Sequence, residues 1–189
     1  WYNTTSNTVK ANYINPGAWS TGGALNTGRR FLAGAGTQTA ALAFAGTPAP
    51  ANGALTETYN GTNWTEVNDL NTARYGLGGA GATNTAALAF GGIGLPPLTA
   101  VTESWNGTNW TEVNDLNTAR YYLGAAGTST AALAFGGKNP TVTGATESWN
   151  GTSWTEVNDL NTGRATLAGA GTNTAALAFG GEIDPPITA

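Results

Sequence analysis

The sequence predicts an all-β fold in which equal units are arranged as a ring, and three observations lead there. A stretch of sixteen residues is written three times with few changes: YNGTNWTEVNDLNTAR at 59–74, WNGTNWTEVNDLNTAR at 105–120 and WNGTSWTEVNDLNTGR at 149–164. Two landmarks keep step with it. The Trp before TEV recurs as Trp64, Trp110 and Trp154, joined by Trp19 of the degraded copy WSTGGALNTGR, at intervals of 45, 46 and 44 residues, and AALAF starts at Ala40, Ala86, Ala131 and Ala175. No run of ten residues carries the apolar period of a helix, whereas short apolar or alternating runs alternate with turn signals. Four units of about 45 residues, each with four short strands, predict a β-propeller with one four-stranded antiparallel sheet, or blade, per repeat.

Each element follows from local chemistry. LAGAG at 32–36 and again at 167–171 alternates as an inner strand, and TAALAFGG at 85–92 is an apolar strand ended by paired glycines. ATESWN at 145–150 meets SWTEV at 153–157 across Asn150-Gly151. Asn-Gly between two strand-like runs predicts a hairpin, because both central residues of a type I′ turn take positive φ. The seven Trp residues argue for a packed chain in spite of the abundant Gly, Ala, Thr and Asn, since a disordered chain lacks apolar groups large enough to offset ordering entropy.

Composition removes several function classes. Net charge is −4, and lysine occurs only as Lys10 and Lys138, so there is no basic patch to neutralise phosphates and no nucleic-acid partner is expected. No stretch is long and apolar enough to insert in a membrane, and no leader is visible. Cys, His and Met are absent. That rules out a disulfide scaffold and leaves the redox compartment open. A chain that starts at Trp1 without any Met reads as a processed or excised piece.

The landmarks together resemble the kelch repeat. ALAFGG, then an aromatic and a Trp across a hairpin (SWNGTNW), then LNTAR, are similar to that family's apolar strand ending in two glycines, its spaced aromatic pair and the Arg at the start of the next blade. The resemblance runs from Asn12 to Ala189. It departs at the aromatic-to-Trp interval, 105 to 110, which is shorter than usual and implies a tighter outer hairpin. In the first unit FAG at 44–46 replaces FGG, and Ala24 stands where later units have Asp69, Asp115 and Asp159. The copper-radical oxidases on kelch-like propellers need Cys and His, so their activity does not carry over.

The phase of the repeat predicts how the ring closes. Residues 1–10 fit no repeat position and read as a lead-in segment or extra outer strand, and 11–189 form one domain. ANYIN at 11–15 and AWSTG at 18–22 supply the outer strands of a blade whose inner strands come from 166–181. Closing this way leaves no open interior edge. Four repeats give either a four-bladed monomer or, with two chains exchanging their terminal strands, an eight-bladed homodimer. Small side chains in the inner strands (LAGAG, LGGAG, LGAAG) suit shallow wedges and hence more blades.

Neither catalysis nor a bound cofactor is expected. Without His or Cys there is no Ser-His-Asp or Cys-His nucleophile and no His- or Cys-ligated metal. The carboxylates Glu66, Glu112 and Glu156, with Asp69, Asp115 and Asp159, repeat in equivalent places and so share one environment, whereas an acid–base pair needs two. They read as turn and surface groups, with a hard-cation site the alternative. The Asn-X-Thr sequons at Asn3, Asn60, Asn63, Asn106, Asn109 and Asn150 are read as turn chemistry, and SWNGTSW departs from the sialidase Asp-box in residue type and spacing.

Arg29, Arg74, Arg120 and Arg164 form a repeated set with two readings. They are a ring of guanidinium groups at the channel mouth, suited to carboxylate or sulfate, or clamps that bond backbone carbonyls, as the family's Arg does. Trp64, Trp110 and Trp154 are read as packing residues. Positions where the copies differ carry the functional signal. One set is the loop after the paired glycines, at 47–54, 93–100, 138–145 and 182–189. The other is the pair after the repeated Arg: Arg30-Phe31, Tyr75-Gly76, Tyr121-Tyr122 and Ala165-Thr166. In a blade of alternating strands both sets emerge on one face, which predicts a binding rim on a rigid scaffold.

The expectation is therefore a non-enzymatic binding module, lectin-like or adhesive. It would meet a carbohydrate or protein surface through Tyr75, Tyr121, Tyr122, Arg30, Lys138 and Asn139. The competing expectation is a structural or assembly part, such as a virion, tail or surface-appendage component with no small ligand. Both go with an extracellular or virion-surface location.

Overall fold

A computed structural model describes residues 2–3, 8–9, 21–47, 53–94 and 98–183. Every regular element among them is a strand. A two-residue ladder, β1 (Tyr2–Asn3) with β2 (Thr8–Val9), precedes the repeats. The first blade is β3 (Ala33–Thr37), β4 (Ala40–Phe44), β5 (Thr56–Tyr59) and β6 (Trp64–Val67). The second is β7 (Gly78–Thr83), β8 (Ala86–Phe90), β9 (Thr102–Trp105) and β10 (Trp110–Val113). The third is β11 (Gly124–Thr128), β12 (Ala131–Phe135), β13 (Thr146–Trp149) and β14 (Trp154–Val157). A fourth sheet holds only β15 (Ala165–Gly171) and β16 (Ala176–Glu182).

Within each blade the strands pair antiparallel in sequence order, giving a β-propeller-like, all-β architecture. The register repeats: Phe44 faces Thr56, Phe90 faces Thr102 and Phe135 faces Thr146. The strand expected at 11–15 lies outside the described residues, as does 18–20 of the strand expected at 18–22, whose last two residues, 21 and 22, are in no strand. Parts of three variable loops (48–52, 95–97 and 184–189) also lie outside them.

The core lies between blades. Leu42 and Phe44 of the first blade pack with Leu77, Ala87, Ala89, Trp105 and Trp110 of the second. Leu88 and Phe90 repeat the arrangement with Leu123, Ala132, Ala134, Trp149 and Trp154 of the third. Each junction is keyed by an aromatic pair, Phe44 edge-on to Trp110 at 5.0 Å and Phe90 edge-on to Trp154 at 4.8 Å. Each Trp is also tied across the junction by its indole N–H, which donates to the Thr56 hydroxyl at 3.0 Å or the Thr102 hydroxyl at 3.1 Å. Burying one Phe or Leu contributes about 1.5–3 kcal/mol, so these junctions outweigh any single surface contact.

The outer hairpin turns one residue later than an Asn-Gly type I′ turn would. The Asn106 N–H donates to the Asn109 carbonyl at 3.2 Å, which makes Gly107-Thr108 the central pair. Gly107 alone in this turn has positive φ, 94°. The Asn106 side-chain oxygen accepts from the N–H groups of Thr108 and Asn109, both at 2.9 Å. Asn is thus a side-chain cap here, and Asn60 and Asn150 repeat it.

Candidate functional site

The backbone builds the rim before any side chain does. The residue after each repeated Arg bridges to the residue after the glycine pair: Arg30 to Thr47, Tyr75 to Ile93 and Tyr121 to Lys138. The two variable regions therefore lie side by side. The next residue is left-handed in every unit, with φ of 56° at Phe31, 63° at Gly76, 55° at Tyr122 and 54° at Thr166. These four residues are linked blade to blade. The Gly76 N–H donates to the Phe31 carbonyl at 2.9 Å, Tyr122 to Gly76 at 2.6 Å and Thr166 to Tyr122 at 2.8 Å. Left-handed φ costs an L-residue roughly 1–2 kcal/mol. This belt of hydrogen bonds between sheets is what holds the conformation in place.

Aromatic rings gather on the belt. Phe31 lies 5.4 Å from Tyr122 and 6.1 Å from Tyr75, and Tyr121 lies 4.9 Å from Tyr122, centroid to centroid. Glycine at 76 makes room for this, because a Cβ there would stand 2.8 Å from two ring carbons of Tyr122. The Arg30 guanidinium sits 5.5 Å above Phe31, within cation–π range. Below lies a cavity of about 240 Å³ lined by Phe31, Leu32, Leu77, Tyr122, Leu123 and Thr166, among others. Burial, reinforced by Tyr75 and Tyr121, raises the Tyr122 phenol above its ordinary pKa, with Lys138 and Arg30 opposing. At neutral pH it is a neutral donor and acceptor.

The residues expected to bind do not all stand alike. Arg30 and Asn139 are exposed, and Tyr75, Tyr121 and Tyr122 are half-buried with one another. Lys138 is drawn into an ion pair with Glu182 at 2.5 Å. Phe31, absent from the expected contact residues, is the ring that joins the cluster. Its signal was its place in the variable pair, equivalent to Tyr122.

The repeated arginines sit inside the blades. Arg29, Arg74 and Arg120 pair with Glu57 at 2.9 Å, Glu103 at 2.5 Å and Glu147 at 2.9 Å, with guanidinium groups fully buried. Arg29 also donates to the carbonyls of Ala45 and Leu55, Arg74 to those of Thr72 and Ala89, and Arg120 to that of Ala145. Burial lowers the pKa of Arg74 and Arg120, while the facing Glu opposes that shift. For these three the geometry is that of a clamp and not of an open ring at a channel mouth. Arg164 differs. It donates to the Gly180 carbonyl at 2.7 Å, and the fourth sheet has no described third strand to bring a Glu.

The acidic partners are not the carboxylates singled out by the sequence. Glu66, Glu112 and Glu156 point outward, whereas Glu57, Glu103 and Glu147 also accept from the backbone N–H of Asn26, Asn71 and Asn117, each at 2.7 Å. Their signal was a lone Glu at fixed phase in TETY and TESW, matched to a lone Arg. Asp69, Asp115 and Asp159 accept from the N–H groups of Thr56, Thr102 and Thr146 at 3.0, 3.0 and 3.1 Å, so each locks the loop to the third strand of its own blade. Among the described residues, no three His, Cys, Asp or Glu gather as metal ligands.

Neither a protein-family model nor a curated protein sequence matches this chain.

Proposed function

We propose that the chain is a non-enzymatic binding module of the kelch-like propeller type, whose ring is completed by its terminal strands and whose rim meets a surface carbohydrate. The observation that carries the reading is the cluster of Phe31, Tyr75, Tyr121 and Tyr122 on the inter-blade belt, with Arg30 beside it. Aromatic faces stack on the apolar faces of sugar rings, while phenol and guanidinium groups take hydroxyls and carboxylates. The rigid belt keeps ordering costs low on binding. Weak sites spaced around a ring gain by multivalency on a dense glycan surface. The polar chemistry of the blades supports a non-catalytic role, since the buried Arg–Glu pairs and the Asp locks are spent on strand ends.

A glycan array with wild type and a Tyr121→Ala/Tyr122→Ala variant tests this. Binding that falls at least tenfold in the variant supports the rim; binding that survives moves the site elsewhere. A second reading, an assembly part of a virion or appendage, is favoured by the apolar Leu177 and Phe179 left exposed on the fourth sheet. It predicts no glycan signal and burial of the rim in the native particle, read by cross-linking from Lys138.

A further inference from the structure

Two surfaces of this chain are unlike their repeats. Leu42 and Leu88 are at most 1% exposed and Phe44 and Phe90 are fully buried, because a following blade covers them. Their counterparts on β16, Leu177 and Phe179, are 71% and 51% exposed. The first blade shows the reverse defect. Trp110 and Trp154 are buried in the blade before them, but Trp64 is half-exposed and its indole N–H donates to the Gly23 carbonyl at 3.1 Å. It borders a groove of about 680 Å³ lined by Gln38, Ala41, Tyr59 and Thr62, among others. Gln38 is the counterpart of Asn84, whose amide crosses the junction to donate to the Thr58 hydroxyl at 3.0 Å.

One end of the chain thus presents the apolar half of a junction and the other end the socket half. Among the described residues they do not meet. Inner strands β3, β7, β11 and β15 pack in series, yet β15 and β3 form no comparable contact. The belt ends likewise, because among the described residues no bond joins the Phe31 N–H to the Thr166 carbonyl. Among the described residues, the four sheets with Gly and Ala on their inner strands make an open arc.

We infer that a second copy of this chain closes the arc, with Leu177 and Phe179 of each copy entering the Trp64 groove of the other and Phe179–Trp64 reproducing the Phe44–Trp110 and Phe90–Trp154 pairs. The contact is heterologous, and two such contacts related by a two-fold axis close a ring without a free end. This inference stands apart from the carbohydrate reading, since it uses no rim residue.

The chain contains no cysteine, which makes the test clean. Light scattering on the full chain at micromolar concentration should give twice the 19.1 kDa chain mass. Two single-cysteine proteins, Phe179→Cys and Trp64→Cys, are then mixed, unfolded and refolded together, and treated with a short bis-maleimide, each end of which adds one thiol. The inference expects a cross-linked pair of chains from the mixture and little from either protein alone. A single-chain mass, with cross-linking only within a Phe179→Cys/Trp64→Cys double variant, means the arc closes on itself and overturns the inference. A ladder of masses beyond two chains overturns it as well. If either cysteine variant fails to fold, the wild-type mass still decides.

Discussion

Glu103 is the residue on which the second blade most depends. Its carboxylate, fully buried, holds the Arg74 guanidinium and the backbone of Asn71 and Thr72. Removing one partner of a buried pair strands the other charge. Glu103→Ala should therefore cost about 3–5 kcal/mol, read as a lower denaturant midpoint, while Glu112→Ala on the exposed strand should change stability by less than about 0.5 kcal/mol. Thr166 makes the opposite case. A β-branched residue at φ 54° is strained, and the equivalent Gly76 is not. Thr166→Gly should raise stability by about 0.5–1 kcal/mol, the strain relieved less the entropy a glycine loses. Tyr122 supplies a pH marker. Its folded pKa is raised, so the folded state holds the proton more firmly than the unfolded chain. That contribution is intact below the ordinary phenol range and is lost as pH rises through the raised value. Ultraviolet titration should show a late-ionising tyrosine that Tyr122→Phe removes.

At the level of the strand and turn, the repeat explains both what was legible and what was not. The strands at 32–36, 85–92, 145–150 and 153–157 read from the sequence contain or overlap β3, β8, β13 and β14, because period-2 patterning and paired glycines mark a half-buried strand and its end. The turn centre was misplaced by one residue, because Asn serves as a side-chain cap and its neighbour Gly takes the left-handed place. Asn106→Ala should then cost about 1 kcal/mol by freeing two N–H groups, within the range measured for side-chain caps. Thermal melts of that variant beside Asn109→Ala would separate capping from general polarity. The same logic applies to Gly169 on β15, where a Cβ would stand 2.2 Å from the Ala125 carbonyl oxygen. Gly169→Ala should loosen the junction of the third and fourth sheets by about 1–3 kcal/mol.

For the molecule as a whole, the Trp spacing was enough to read the repeated units, and the placement of the two variable regions side by side was legible too. The arginine clamp stood as one of two readings, but its partners Glu57, Glu103 and Glu147 were missed, because an Arg at a strand start looks the same from sequence whether it faces a channel or a carboxylate. The unequal exposure of Trp64 against Trp110 was hidden too, since it depends on which blade precedes and not on the repeat. A comparison of two phenylalanines turns this into a prediction. Phe90→Ala should cost about 3–5 kcal/mol at any protein concentration. If copies join through Phe179, Phe179→Ala should leave the lone chain nearly unchanged and shift its melting only where dimer forms, so its effect should grow with concentration.

The belt has a consequence for how this scaffold can vary. Phe, Gly, Tyr and Thr occupy positions 31, 76, 122 and 166 with φ within 9° of one another, so the main chain there is set by the neighbouring blades whatever side chain is attached. Each position is a mounting point. Chemistry displayed there can be exchanged one blade at a time, by evolution or by a selected library, without renegotiating the frame beneath it.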